Sequence, residues 1–319
     1  MRKSLPQFTD ADILSRRTEK NATDSSKPYA FLVEQERSAS GEIGNVVTLF
    51  LTNRECPFRC LMCDLWKNTL DQTVQPGEIP QQIQFALSQL PDAKSAREIK
   101  LYNSGNFFDR KAIPVEDYAE IASLVRGFEK VIVENHPLLC TDDCLTFRDL
   151  IAPAQLEVAI GLETCHPELL KVLNKKMNLD DFERACDFLN RNGIQTRVFL
   201  LLKPPFLSEA EGIDWTLRSM QYAFDQGVGC CSIIPTRGGN GMMELLEKQG
   251  DFSPPLGSSI ESVLELGLSL KRGRVFVDLW DADRFFPCGH CRDSRVDRLY
   301  QMNLTQSVLP EIVCEACSK

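Results

Sequence analysis

From residue 44 to 275 the chain alternates between strand-like and helix-like patterns. Residues 44–51 are β-branched and apolar. Residues 80–90 place Ile83, Phe85, Ala86, Leu87 and Leu90 at helical spacing. A second strand at 98–102 precedes a helix opened by Pro114, with Tyr118, Ile121, Ala122 and Val125 on one face and Gly127 as its stop. Strands follow at 130–133, 156–160, 195–202 and 230–234. Between them lie helices at 179–192, with Asn178 as cap and Gly193 as terminator, and at 210–226. Short loops between such units imply parallel strands covered by helices. The expectation is an α/β fold, a partial (β/α)6 TIM-like barrel of parallel strands with a small Cys-rich C-terminal extension. Its segments are an N-terminal extension (1–43), a core (44–275) and a metal-binding extension (276–319).

In parallel α/β folds ligands bind at the carboxyl ends of strands. After the first strand stand Cys56, Cys60 and Cys63, in a C-x3-C-x2-C pattern. Three thiolates at this spacing suit three irons of a [4Fe-4S] cube and leave the fourth iron without a protein ligand, unlike the closed four-Cys clusters of electron carriers. Structural thiols or part of a zinc site are the competing reading; structural zinc takes four ligands, and no further Cys or His is near. The second strand ends in Asn103-Ser104-Gly105, small residues that let backbone approach a ligand. Strands three and four end at Glu134 and Glu163, acids that need a partner after an apolar run: a cofactor, a substrate or an ordinary ion pair. His136 reads as structural. The fifth strand carries Arg197 and runs into Lys203, cations suited to a carboxylate or an anionic substrate.

Near the end, Cys288-x2-Cys291 and Cys314-x2-Cys317 stand 22 residues apart. Paired C-x2-C is a ligation signal; four thiolates suit zinc or an auxiliary [4Fe-4S] cluster. The remaining six of thirteen cysteines sit among apolar neighbours and read as small core residues. A net charge of −9 argues against unaided nucleic-acid binding. Lys171, Lys175 and Lys176, and Arg292, Arg295 and Arg298, read as solvated faces. No apolar run reaches transmembrane length, and the first residues lack a signal-peptide core, so a cytoplasmic protein with no membrane contact is expected.

Several stretches carry a family resemblance: Cys60-Leu61-Met62-Cys63, Tyr102-Asn103-Ser104-Gly105-Asn106-Phe107-Phe108-Asp109, Val158-Ala159-Ile160-Gly161-Leu162-Glu163-Thr164 and Leu200-Leu201-Leu202-Lys203-Pro204-Pro205-Phe206, with Cys288-Gly289-His290-Cys291 and Asn303-Leu304-Thr305-Gln306 near the end. Over most of residues 27–317 the chain resembles the radical S-adenosylmethionine (SAM) superfamily, in the branch of the archaeosine synthase radical SAM subunit, beside Elp3-like and methylthiotransferase-like cores. The resemblance implies a [4Fe-4S] cluster on Cys56, Cys60 and Cys63. It implies SAM held near Asn103, Ser104 and Gly105, with Glu134, Glu163, Arg197 and Lys203 as further candidate contacts from their places at the strand ends, and cleavage to a 5′-deoxyadenosyl radical that abstracts a substrate hydrogen. It also implies an electron donor such as flavodoxin or ferredoxin, and a deazaguanine base in tRNA reached through a partner protein. A small-molecule or peptide substrate is the alternative within enzymes. An iron–sulfur carrier leaves the loops after strands two to five unexplained, and a zinc-stabilised RNA-binding protein predicts a basic surface that the composition lacks.

Overall fold

The computed structural model describes residues 5–317. Residues 1–4, where the stretch read for a signal peptide begins, and residues 318–319 lie outside the described residues. Eight strands form one sheet in chain order: β1 (Ala30–Arg37), β2 (Ile43–Phe50), β3 (Glu98–Tyr102), β4 (Lys130–Asn135), β5 (Gln155–Glu163), β6 (Gln195–Leu202), β7 (Cys230–Pro235) and β8 (Arg274–Val277). β1 runs antiparallel to β2, and every later pair is parallel. The described helices are α1 (Asp10–Leu14), α2 (Glu78–Gln89), α3 (Tyr118–Val125), α4 (Asp142–Ile151), α5 (Pro167–Val172), α6 (Leu179–Arg191), α7 (Glu209–Asp225), α8 (Met242–Gln249), α9 (Gly257–Ser269) and α10 (Arg292–Thr305). None of them is long and apolar enough to cross a membrane.

The curled, mostly parallel sheet agrees with the expected class but has two more strands than the six read from sequence. β1 falls within residues 1–43, and β8 straddles residue 275. Helix ends follow local chemistry. Asn178 Oδ1 accepts from Asp181 N at 3.0 Å while Asp181 Oδ2 accepts from Asn178 N at 2.8 Å, a reciprocal cap that starts α6. Ser208 and Glu211 do the same for α7. The main core lies between the outer sheet face and the helices, with Leu49, Leu101, Val133, Val158 and Val198 packed against Ile83, Ile121, Phe147, Phe182 and Met220. Such double coverage is why these strands read as continuous apolar runs.

The concave face is filled differently. Arg197 of β6 reaches Glu36 of β1 at 2.5 Å and Glu157 of β5 at 2.7 Å. A side chain of β6 can touch β1 only across the inside of the curl, because four strands separate them in the sheet. Lys100 joins Glu36 at 2.6 Å and Glu34 at 2.9 Å, while Arg274 and Lys130 reach Glu157 at 3.0 and 3.1 Å. This buried ionic plug closes the end of the barrel where the parallel strands begin. Toward the other end follows an aromatic layer: Phe50 lies 6.2 Å from Tyr102 and 6.4 Å from Trp280, and Tyr102 lies 6.0 Å from Phe199, ring centre to ring centre.

α10 covers the outer edge of β8. Asn303 Oδ1 accepts from Val277 N at 3.0 Å and its Nδ2 donates to Val277 O at 2.9 Å. Gln306 repeats the pattern on Val275, with both bonds at 2.8 Å. Two side-chain amides thus replace a neighbouring strand. The arginines of α10 do not form the solvated face expected of them. Arg298 is buried and donates to Pro310 O at 2.7 Å and to Glu265 at 2.6 Å, and Arg295 pairs with Glu261. They tie the tail to α9.

Candidate cofactor site

The cysteine loop leaves β2 with its backbone satisfied from outside. Thr52 N donates to Gln82 Oε1 at 2.8 Å, and Gln82 Nε2 donates to Thr52 O at 2.7 Å. Glu55, directly before Cys56, is taken up by Arg17 at 2.6 Å, Lys20 at 2.9 Å and Arg59 at 3.1 Å. Leu61, between Cys60 and Cys63, is wholly buried in a second apolar cluster with Ile13, Leu169, Leu173, Met242 and Met243. Three further bonds pin the loop: Leu61 N to Leu173 O at 2.9 Å, Asn174 Nδ2 to Arg59 O at 2.7 Å, and Asn240 Nδ2 to Leu61 O at 2.7 Å.

Burial pushes the Cys60 thiol up to about 12, against the pull of Lys175, and the neighbouring Cys56 raises it further. Cys63 is raised by burial and then by Cys60. All three thiols are half-buried and stand on this one pinned loop. As thiolates they would be costly without a nearby cation, and a metal centre supplies one. Asn106 Nδ2 donates to Cys56 Sγ at 3.1 Å.

The loop after β3 is held from behind. Glu134 Oε1 accepts from Asn103 N at 2.5 Å and Gly105 N at 3.3 Å. Burial raises its carboxyl to about 7 although backbone N–H groups oppose the shift. Ser104 takes a left-handed conformation (φ 51°), and its hydroxyl lies 2.7 Å from that of Tyr29. Asn103 Nδ2 donates to Asn53 Oδ1 at 3.2 Å, whereas Asn103 Oδ1 is buried without a hydrogen-bond partner. An orphaned acceptor of this kind calls for a donor.

Glu163, also at positive φ (66°), is paired with Lys175 at 2.8 Å. Both are buried, Lys175 at 6% exposure. The sequence reading put Lys175 on a solvated helix face; it stands in the loop between α5 and α6 and points inward. Gly161 makes room for this pair: a Cβ there would lie 2.3 Å from Glu163 Oε1 and 2.6 Å from Lys175 Nζ. His136 stacks on Phe58 with ring centres 3.8 Å apart, and its Nε2 lies 2.9 Å from Lys175 O. Burial, then Lys175, lowers it to about 3, so it is neutral.

Two of the residues named from sequence lie elsewhere. Arg197, third residue of β6, sits in the plug at the opposite end of the barrel. Lys203 points to the outside of the barrel mouth, donating to Ser253 Oγ at 2.6 Å and pairing with Glu209 at 2.8 Å. Lys175 and Asn53 are the site residues that the sequence reading missed. Lys175 lies in a loop without periodicity. Asn53, directly before Arg54 and the cysteine motif, carries only the weak signal of a polar residue continuing an apolar strand.

At the C-terminus the sulfurs of Cys288, Cys291, Cys314 and Cys317 all lie within 4.8 Å of one another, with Cys288–Cys314 at 3.9 Å and Cys291–Cys317 at 3.6 Å. Four thiolates at about 2.3 Å from one zinc stand about 3.8 Å apart in a tetrahedron. Arg295 Nε donates to Cys291 Sγ at 3.3 Å, a cation beside the sulfur set.

No family model matches the chain. An uncharacterized protein of Methanocaldococcus jannaschii is 24% identical over 92% of this chain and 85% of its own length. Archaeosine synthase subunit beta of Thermococcus kodakarensis is 24% identical over 76% of this chain and 78% of its own. The protein of that name from Methanosarcina acetivorans is 28% identical over 52% of this chain and 49% of its own. Among solved structures, methylornithine synthase (PylB) superposes with a TM-score of 0.51 at 15% identity, covering 85% of this chain and 75% of that one. In sequence the chain is similar to the proteins named archaeosine synthase subunit beta, and in fold to methylornithine synthase.

Proposed function

We propose that the chain is a radical SAM enzyme that binds a [4Fe-4S] cluster at Cys56, Cys60 and Cys63 and SAM beside it, at the open end of the barrel. The observation that carries this reading is a three-cysteine loop of half-buried thiols pinned by hydrogen bonds from the 173–174 segment and from Asn240, next to a buried acceptor, Asn103 Oδ1, that lacks a donor. When bound, the cluster supplies the electron that splits SAM into methionine and a 5′-deoxyadenosyl radical, which removes a substrate hydrogen.

The chain's own residues prepare the place. Asn106 donates to Cys56 and favours its thiolate. Glu134 holds the Asn103 and Gly105 amides, and Asn103 Oδ1 is left to receive an ammonium. The plug and the aromatic layer keep water from entering through the barrel's base. The C-terminal quartet has the spacing of a single-ion site, which favours zinc over a second cluster there.

The relatives named archaeosine synthase subunit beta support a modified deazaguanine base in tRNA as the substrate, reached as one subunit of a complex with partner-supplied RNA contacts, and a cytoplasmic location. The test is oxygen-free reconstitution with iron and sulfide, reduction, addition of SAM and measurement of 5′-deoxyadenosine. Product from wild type and none from Cys63→Ala is expected; a well-reconstituted wild type that yields none overturns the reading.

A further inference from the structure

We infer that Lys175, held by Glu163, sets the ease with which a cluster at Cys56, Cys60 and Cys63 accepts an electron. The inference rests on the cluster reading above. The buried pair lies against the cysteine loop: His136, 2.9 Å from Lys175 O, stacks on Phe58, which stands between Cys56 and Cys60. Lys175 is felt by both Cys56 and Cys60, and at Cys60 its influence exceeds the opposing one of Glu163. The ammonium is fixed by three constraints: the 2.8 Å contact to Glu163, the space left by Gly161, and its own carbonyl 2.9 Å from His136 Nε2. The residue before it, Asn174, donates to Arg59 O in the cysteine loop at 2.7 Å, which ties the lysine's backbone to that loop. Both side chains are screened from water, where a unit charge acts far more strongly than at a surface.

Reduction adds one electron to the cluster from a low-potential one-electron reductant and makes it more negative by one charge, with no bond made or broken. A buried cation favours that state. Lys175→Met therefore makes the reduction potential more negative, and Lys175→Arg retains it. Lys175→Met with Glu163→Gln, which leaves no buried charge unpaired, lies between Lys175→Met and wild type. Lys176→Met removes a neighbouring charge that is 47% exposed and leaves the potential unchanged.

The experiment is a titration of reconstituted protein with titanium(III) citrate, followed by the electron paramagnetic resonance of the reduced cluster. A Lys175→Met potential equal to or more positive than wild type overturns the inference, as does a shift of equal size in Lys176→Met. If Lys175→Met does not fold, the double variant decides: an unchanged potential there also overturns it. Failure of wild type to assemble any cluster instead overturns the function proposed above, so the two failures are distinguishable.

Discussion

Glu134 Oε1 lies 2.5 Å from the backbone nitrogen of Asn103, and no cation shares that carboxyl among its described partners. The acid at the end of β4 is therefore a brace for the neighbouring loop. Because its folded-state value is raised from the ordinary 4.5 to about 7, the native state keeps its proton longer than the unfolded chain does. Its contribution is complete below about 4.5 and is lost as pH rises through 7, by about 3 kcal/mol in all. Denaturation of wild type and Glu134→Gln across this range should show the wild type losing stability relative to the variant as pH increases. Parallel curves would remove the brace's titration from the account.

Arg197→Met should destabilise the fold by about 3–5 kcal/mol, because Glu36 and Glu157 lose a buried partner. The protein that remains folded should bind SAM as wild type does. Denaturant midpoints and equilibrium binding of SAM to reconstituted protein check both halves; weakened SAM binding in a stable Arg197→Met protein would return this residue to the cofactor. Glu157 is held down to about 2: burial opposes the shift, and Arg197, Arg274 and Lys130 overcome it. Its stabilisation is present above about 4.5 and disappears as pH falls from there toward 2.

Cys314→Ser should reduce tightly bound zinc from one ion per chain to nearly none. The thermal midpoint should fall by roughly 5 °C or more, at about 2 °C per kcal/mol for a chain of this size. Metal analysis and calorimetry measure this. Stoichiometric iron and sulfide in the quartet of Cys63→Ala protein would point to an auxiliary cluster instead.

Cys63→Ala should lose the visible absorption of reconstituted protein and all 5′-deoxyadenosine formation while its far-ultraviolet circular dichroism stays as in wild type. Leu61 carries the loop's packing and is untouched by that substitution. A large loss of secondary structure would mean that the thiol itself is structural.

The parts of the fold that the sequence made legible are those whose pattern is local. β3 and β6 match their expected bounds to the residue, and the cap at Asn178 is where the sequence puts it. β1 was not read, because Glu34 and Glu36 turn into the plug and break any apolar alternation. β8 is four residues long and opens with an arginine whose partner, Glu157, lies far away in the chain. The same reason explains the site. Cys56, Cys60 and Cys63 announce themselves by spacing, whereas Lys175 is recognisable only beside Glu163, and Arg197 looked like a rim cation because its carboxylates are distant in sequence.

The amides of Asn303 and Gln306 against Val277 and Val275 have a consequence for any shortened form of this protein. A chain cut before residue 300 would sacrifice more than its C-terminal cysteine pair: it would bare a sticky margin of unclasped backbone, ready to recruit a second molecule. Such a truncate should therefore self-associate long before it unfolds.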